Sequence, residues 1–286
     1  MRYLRGIPTK SICFCIVLFF FFIFAGRTRA FAEDTVRING SGTGLEMLKP
    51  LIEVYSKSHP GVTFDIQKPL GSSGAVKAVV EGALDIAVSS KPLRPDEAAR
   101  GAKVSTFGKT PLAVITNKSV SKKNITVREL EAIYSGAMRK WKNNENIRVV
   151  LRPQGDIDTA ILRGLSPGMD RAVSEAHKRY GMITATTDPE SNDMVARTNG
   201  SIGTAGLAGI LAGKIPVNIL SLNGVMPTTA AVAGGRYPLS KDLNFVTTER
   251  LPEAAAKFLD FVYSERARGV VERIGVLVSY GSKAYR

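Results

Sequence analysis

The sequence predicts an α/β fold, and three observations carry that expectation. Short apolar runs at 36–38, 62–66 and 84–88 read as strands, and each ends in a turn rich in Gly, Ser or Thr. The first two turns lead into segments with apolar residues at helical spacing. A later run, Thr110 to Asn117, is nearly all apolar and long enough to leave one lobe of a protein for another. In open α/β sheets ligands bind beyond the carboxyl ends of strands, so three hydroxyl-rich turns at that position mark a candidate site.

The chain opens on a segment that reads as a leader rather than as part of the fold. Arg2, Arg5 and Lys10 precede an apolar run from Ser11 to Gly26, and Ala30-Phe31-Ala32 has the small-x-small pattern of a signal peptidase site. The cut is expected after Ala32, which makes 1–32 a signal peptide and the mature chain a soluble exported protein. An uncleaved anchor is the rival reading, but a spanning helix needs about 20 residues and this run is shorter. Cys13 and Cys15, the chain's two cysteines, both fall in the leader. A mature chain without cysteine excludes disulfides, thiolate metal sites and a cysteine nucleophile. Neither cysteine has the pattern of a lipoprotein cut, so no lipid anchor is expected.

The formal net charge is +14, and loss of the leader's five basic residues leaves +9. A basic surface attracts anions, membranes or nucleic acid through the same field. Export argues against nucleic acid, and the Lys and Arg residues are scattered rather than run together, so the charge permits a small anionic ligand. The length suits one or two α/β domains.

Taken in order, Val36-Arg37-Ile38 is a strand that enters Asn39-Gly40-Ser41-Gly42-Thr43-Gly44. A helix follows, with Leu48, Leu51, Ile52 and Tyr55 on one face, and Pro50 predicts that its regular part begins nearby. The strand 62–66 turns through Gly71-Ser72-Ser73-Gly74 into a helix over 75–81, and the strand 84–88 finishes at Ser89-Ser90-Lys91-Pro92-Leu93. Thr126 to Glu129 is a capping box for a helix that stops at Gly136. Trp141 reads as a packing residue.

The stretch from Val149 to Thr159 is an apolar run that ends on Arg152, turns through Pro153 and Gly155 and enters a helical segment. Backbone N–H groups at a helix start and a guanidinium can converge there on one anion. Asp156 and Asp158 repel an anion unless it can donate a proton, and the plainer alternative is a salt bridge from Arg152 with an aspartate N-cap. Helical segments then span 168–180 and begin at Asp188-Pro189, with Asp188 as the cap. Strands follow at 217–222 and 243–247, with an extended return path at 236–239, a helix opened by Pro252, and a last helix from Ser264 to Gly275.

Catalysis has little to work with. His59 sits in a turn and His177 in a polar helical stretch, each reading as a surface histidine. Without cysteine or paired histidines, familiar nucleophile and zinc arrangements are missing, so no enzyme, metal or cofactor is expected.

Together, five motifs resemble the exported phosphate-binding proteins of ABC importers. They are Gly71-Ser72-Ser73-Gly74 with Asp85 to Leu93, Glu129 to Gly136 with Trp141, Tyr237-Pro238-Leu239-Ser240-Lys241, and Phe258 to Ser264. The resemblance implies a type II periplasmic binding protein, with two α/β lobes, two hinge crossings and a ligand cleft between them. It places lobe I at 33–112 and 229–286 and lobe II at 113–228, with crossings near 110–117 and 227–239. It also implies a location in the periplasm and a monomer that meets the membrane only through an ABC transporter permease.

Residue by residue, Ser72 and Arg152 match the family's binding serine and arginine, and Ser41 and Thr43 lie in its first binding turn. Where the family has an aspartate that accepts the proton of hydrogen phosphate, this chain has Ser90. Its Arg-x-x-Gly-Ser-Gly-Thr turn is here Arg152 to Asp158, with acids at Asp156 and Asp158. The candidate ligand-binding residues are therefore Ser41, Thr43, Ser72, Ser90, Arg152, Asp156 and Asp158. Phosphate with a relocated acceptor is one expectation. A changed ligand, organophosphorus or zwitterionic, is another, and a sensor module without transport is a third. Lys91, beside Ser90, could neutralise an aspartate or lie in solvent.

Overall fold

The structure, a computed structural model, describes residues 34–280 and 283–285. The expected leader, its cut and both cysteines lie outside the described residues. Among these, no helix is long and apolar enough to cross a membrane.

The chain begins with β1 (Asp34–Gly40), α1 (Gly42–Ser56), β2 (Val62–Asp65), α2 (Gly71–Val80), β3 (Ile86–Ser89), α3 (Pro95–Ala99) and β4 (Lys103–Thr116). The middle holds β5 (Asn124–Ile125), α4 (Val127–Ser135), β6 (Arg148–Leu151), α5 (Ile157–Arg163), α6 (Pro167–Lys178), β7 (Ile183–Thr184), α7 (Asp188–Arg197), β8 (Ser201–Gly206), α8 (Leu207–Ala212) and β9 (Asn218–Leu222). It closes with α9 (Thr229–Ala233), β10 (Ser240–Thr247), α10 (Glu253–Val262), α11 (Glu265–Glu272) and β11 (Leu277–Val278).

The strands follow the order β2-β1-β3-β10-β4-β8-β6-β7. β1 is parallel to β2 and β3, and β6 is parallel to β7 and β8. The long strand β4 is antiparallel to β10 along its first part and to β8 along its second. One strand therefore serves both halves of the sheet.

Burial explains why β4 is so apolar. Leu112 and Val114 pack with Ile133, Trp141, Val173 and Leu220, while Ala113 and Ile115 face Val150, Val195 and Ile210. Side chains alternate across a strand, so a sheet covered on both faces needs apolar residues at every position. The other half is covered in the same way, by Leu48, Phe107 and Phe258 on one face and by Ala75, Val79 and Val246 on the other. Trp141 is buried and donates from Nε1 to the Gly200 carbonyl at 2.9 Å.

On the return path Ala231, Tyr237 and Leu239 still pack with the second half, later than the boundary expected at 229, and Leu243 is in the first. Tyr237 Oη donates to the Leu112 carbonyl at 2.9 Å, and Leu112 N–H donates to the Leu239 carbonyl at 3.0 Å. These two bonds hold the return path against the middle of β4.

Three helix starts differ from the expectation. α1 begins at Gly42, with Pro50 inside it, because the Ser41 hydroxyl accepts from Gly44 N–H at 3.2 Å. Interior proline costs about 3 kcal/mol. Burial of Leu45, Met47, Leu48, Leu51 and Tyr55 offsets it. α2 begins at Gly71, so the Gly-Ser-Ser-Gly turn is its first turn. The cap of α7 is Thr187, which accepts from Glu190 N–H at 3.3 Å and leaves the Asp188 side chain free for other partners.

Candidate functional site

A cavity of about 460 Å³ lies where β1, β3 and β6 end. One wall is the start of α1 (Ser41, Gly42) and the start of α2 (Leu70 to Gly74), with Lys91 after β3. The facing wall is Arg152, Pro153, Gly155, Asp156 and Ile157 after β6 and Thr186 to Asp188 at the start of α7, with Lys241 of β10 at the base. The walls come close: a Cβ on Gly42 would stand 2.5 Å from Pro189 Cδ and 2.7 Å from Asp188 Cβ. Lys91 Nζ donates across the gap to the Gly155 carbonyl at 2.6 Å and to Ser73 Oγ at 3.3 Å.

The serines form one arrangement. Ser72 Oγ accepts from Ser90 N–H at 2.9 Å, and Ser41 Oγ accepts from the Ser90 hydroxyl at 3.3 Å and from Gly44 N–H. Both oxygens are thus occupied as acceptors, which leaves the Ser41 and Ser72 protons to donate into the cavity. No side chain caps α2. Its first turn, Gly71 to Gly74, lines the same cavity, and a helix start of this kind favours an anion.

Behind the serines lies a buried ion network. Arg152 Nη2 is 2.8 Å from Asp156 Oδ2 and 3.4 Å from Asp188 Oδ1. Lys241 Nζ is 2.7 Å from Asp158 Oδ1 and 3.2 Å from Asp188 Oδ1. Asp188 Oδ2 also accepts from Thr43 N–H at 2.7 Å and from the Thr43 hydroxyl at 3.1 Å. Asp156 Oδ1 caps α5 by accepting from Asp158 N–H at 2.9 Å. The plainer alternative for this turn, a salt bridge with an aspartate cap, is thus realised beside a cavity.

Three carboxylates surround two cations, so the network carries one excess negative charge when all are ionised. Burial pushes the Asp158 carboxyl up to about 6; Lys241 opposes this, while Asp188 and Asp156 add to it. Burial also pushes Asp188 up, but Lys241, Arg152 and the Thr43 N–H outweigh it and hold that carboxyl below its ordinary value. Burial alone would lower Lys241, but Asp158 and Asp188 reverse the direction and raise it. Of Asp158 and Asp188, Asp158 therefore takes up a proton more readily.

Of the residues expected from sequence, Ser41, Ser72, Arg152 and Asp156 line the cavity. Thr43, Ser90 and Asp158 stand behind its wall, each buried and each bonded to a group on or near it. Lys91 is at the rim. Asp188 and Lys241 were missed as site residues. Lys241 does leave a sequence signal: with Leu239 and Leu243 it holds the inward register of an alternating run, where a lone lysine needs a buried partner. His177 Nε2 lies 2.8 Å from the Arg152 carbonyl, so it braces the backbone of this turn rather than standing free.

The profile of the PBP superfamily domain matches residues 25–266. The phosphate-binding protein PstS of Borreliella burgdorferi is 29% identical over 255 residues, covering 86% of this chain and 90% of that protein. PstS of Bacillus subtilis is 27% identical over 244 residues, covering 82% and 77%. A solved structure with bound phosphate, from Clostridium perfringens and assigned as a phosphate ABC transporter substrate-binding protein, matches with a TM-score of 0.72 at 23% identity. It covers 86% of this chain and 100% of that one. At that identity the match speaks to the fold, and the fold agrees.

Proposed function

Because the chain belongs to the PBP superfamily, we propose that it captures phosphate or a related oxyanion in this cleft and delivers it to an ABC importer. The observation that carries the proposal is the buried Arg152 guanidinium facing the uncapped start of α2 across one cavity. The curated relatives named as phosphate-binding proteins support the same ligand.

In this reading the Ser41 and Ser72 hydroxyls, the first amides of α2 and Arg152 donate to the oxyanion. Asp156, on the cavity wall, accepts the proton of a protonated ligand. Asp158 and Ser90 act from behind, Asp158 by setting the charge of Lys241's surroundings and Ser90 by orienting both serine hydroxyls. Thr43 anchors Asp188. The lobes hinge where β4 passes from one half to the other and where the return path runs from Leu239 to Leu243. A cleavable leader, a periplasmic location, a monomeric state, docking to a permease and absence of catalysis complete the proposal.

A second reading has its own observation. Two carboxylates, Asp156 and Asp188, line the cavity. They would suit the cationic end of a zwitterionic ligand.

Isothermal titration with phosphate at two pH values that bracket its second ionisation tests both. Binding that depends on the ligand's protonation supports the first reading. No heat with phosphate at either pH overturns it, and a screen of zwitterions and organophosphorus compounds then decides the second.

A further inference from the structure

A second cavity, of about 580 Å³, opens at the other end of β6. Arg148 starts that strand and Arg152 follows its end, so the two cavities are about 13 Å apart along it. Arg139, Arg148 and Arg179 border this cavity over an apolar floor that includes Ile133, Val149 and Met182. No Asp or Glu lines it. None of the three arginines is among the ion-paired arginines of the described residues.

Their hydrogen bonds leave most of their donors unused. Arg139 Nε donates to the Gly136 carbonyl at 2.9 Å, and Arg148 Nη1 donates to the Asn199 carbonyl at 2.7 Å. Arg179 Nη2 reaches only the Met182 sulphur, at 3.7 Å, and its Nη1 is buried with no partner. That guanidinium packs over Gly136, which ends α4 with φ 83°; a Cβ there would stand 2.5 Å from Nη1. The carbonyl end of α4 accounts for the position of Arg139. It does not account for Arg148, nor for a buried N–H of Arg179 without an acceptor. Three like charges border one hollow without a counter-ion, and an oxyanion supplies both the missing charge and the acceptor that Arg179 Nη1 lacks.

We propose that this cavity binds an amphiphilic anion, with a phosphate- or carboxylate-type head held by Arg139, Arg148 and Arg179 and an apolar body on the floor. The site is independent of the cleft. A free amphiphile and an anionic lipid headgroup share this chemistry, and the test separates them.

Octyl phosphate is titrated into the protein with inorganic phosphate already in excess. The expected result is one site that weakens at least tenfold in Arg179→Gln and in Arg148→Gln; the second variant alters an exposed side chain and so spares the fold. In parallel, vesicles of phosphatidylglycerol with phosphatidylcholine are sedimented against vesicles of phosphatidylcholine alone. Retention on the anionic vesicles that is lost in Arg148→Gln assigns the head to lipid, and octyl phosphate binding without retention assigns it to a free amphiphile. No octyl phosphate binding, or binding that either variant leaves unchanged, overturns the proposal.

Discussion

Lys241 Nζ stands 2.7 Å from Asp158 Oδ1, and both side chains are buried. The pair joins a strand of the return path to the helix that follows the Arg152 turn, and Asp188 shares the same ammonium. A buried ion pair is weak evidence of net stability, yet removing one partner strands the other. Lys241→Met leaves Asp158 and Asp188 without their shared cation and is expected to destabilise the protein by about 3–5 kcal/mol. Urea denaturation near neutral pH measures it. A loss under 1 kcal/mol would mean that the carboxylates find other partners or protons.

Asp158 makes stability depend on pH in one direction. Its folded-state carboxyl is raised from 3.8 to about 6, so the folded protein binds the proton more tightly than the unfolded chain. The contribution of Asp158 to stability therefore falls as pH rises through that interval and is level above it, by about 3 kcal/mol in all. Asp158→Asn removes this fall. Denaturation midpoints of both proteins across about pH 4 to 7 give the comparison, and parallel curves would refute the assignment.

Asp156 competes with any anion for Arg152, but it can accept a proton that the anion brings. Asp156→Asn is expected to raise affinity for sulfate, which has no proton to give at neutral pH, by about tenfold, or about 1.4 kcal/mol. Affinity for phosphate should gain less or fall. Titration of both anions against both proteins reads the change in selectivity, and equal gains for the two anions would remove Asp156 from the discrimination.

Tyr237 ties the return path to β4 through the Leu112 carbonyl. Tyr237→Phe should cost about 1–2 kcal/mol, since it leaves a buried carbonyl short of one partner. Phosphate affinity should stay within about twofold, because the hydroxyl lies outside the cleft wall. Thermal unfolding and titration on the same samples separate the two effects.

Much of this architecture was legible because it is local. The strands at 36–38, 62–66 and 84–88 and the turns that follow them are written in neighbouring residues, and Arg152, Ser41 and Ser72 sit in those turns. Asp188 and Lys241 were hidden for the opposite reason. Asp188 lies 145 positions from Thr43 and 53 from Lys241, and Asp-Pro at a helix start reads equally well as a cap. Only the fold brings a carboxylate from α7 onto the start of α1. Pro50 reads locally as a helix start, but burial of Leu45, Met47 and Leu48 before it carries the helix back to Gly42. Ser90 was legible as a departure from the family pattern, but its task of orienting two other serines depends on bonds that no spacing reveals.

Gly42 has a consequence beyond permitting close approach. With 2.5 Å between its missing Cβ and Pro189 Cδ, even one methyl there would push the start of α1 away from the start of α7. On the proposed hinge, Gly42→Ala is expected to let an anion engage Ser41 and Ser72 while keeping Arg152 from reaching it. Such a variant would separate first encounter from capture, with fast release of ligand as its signature in stopped-flow measurements.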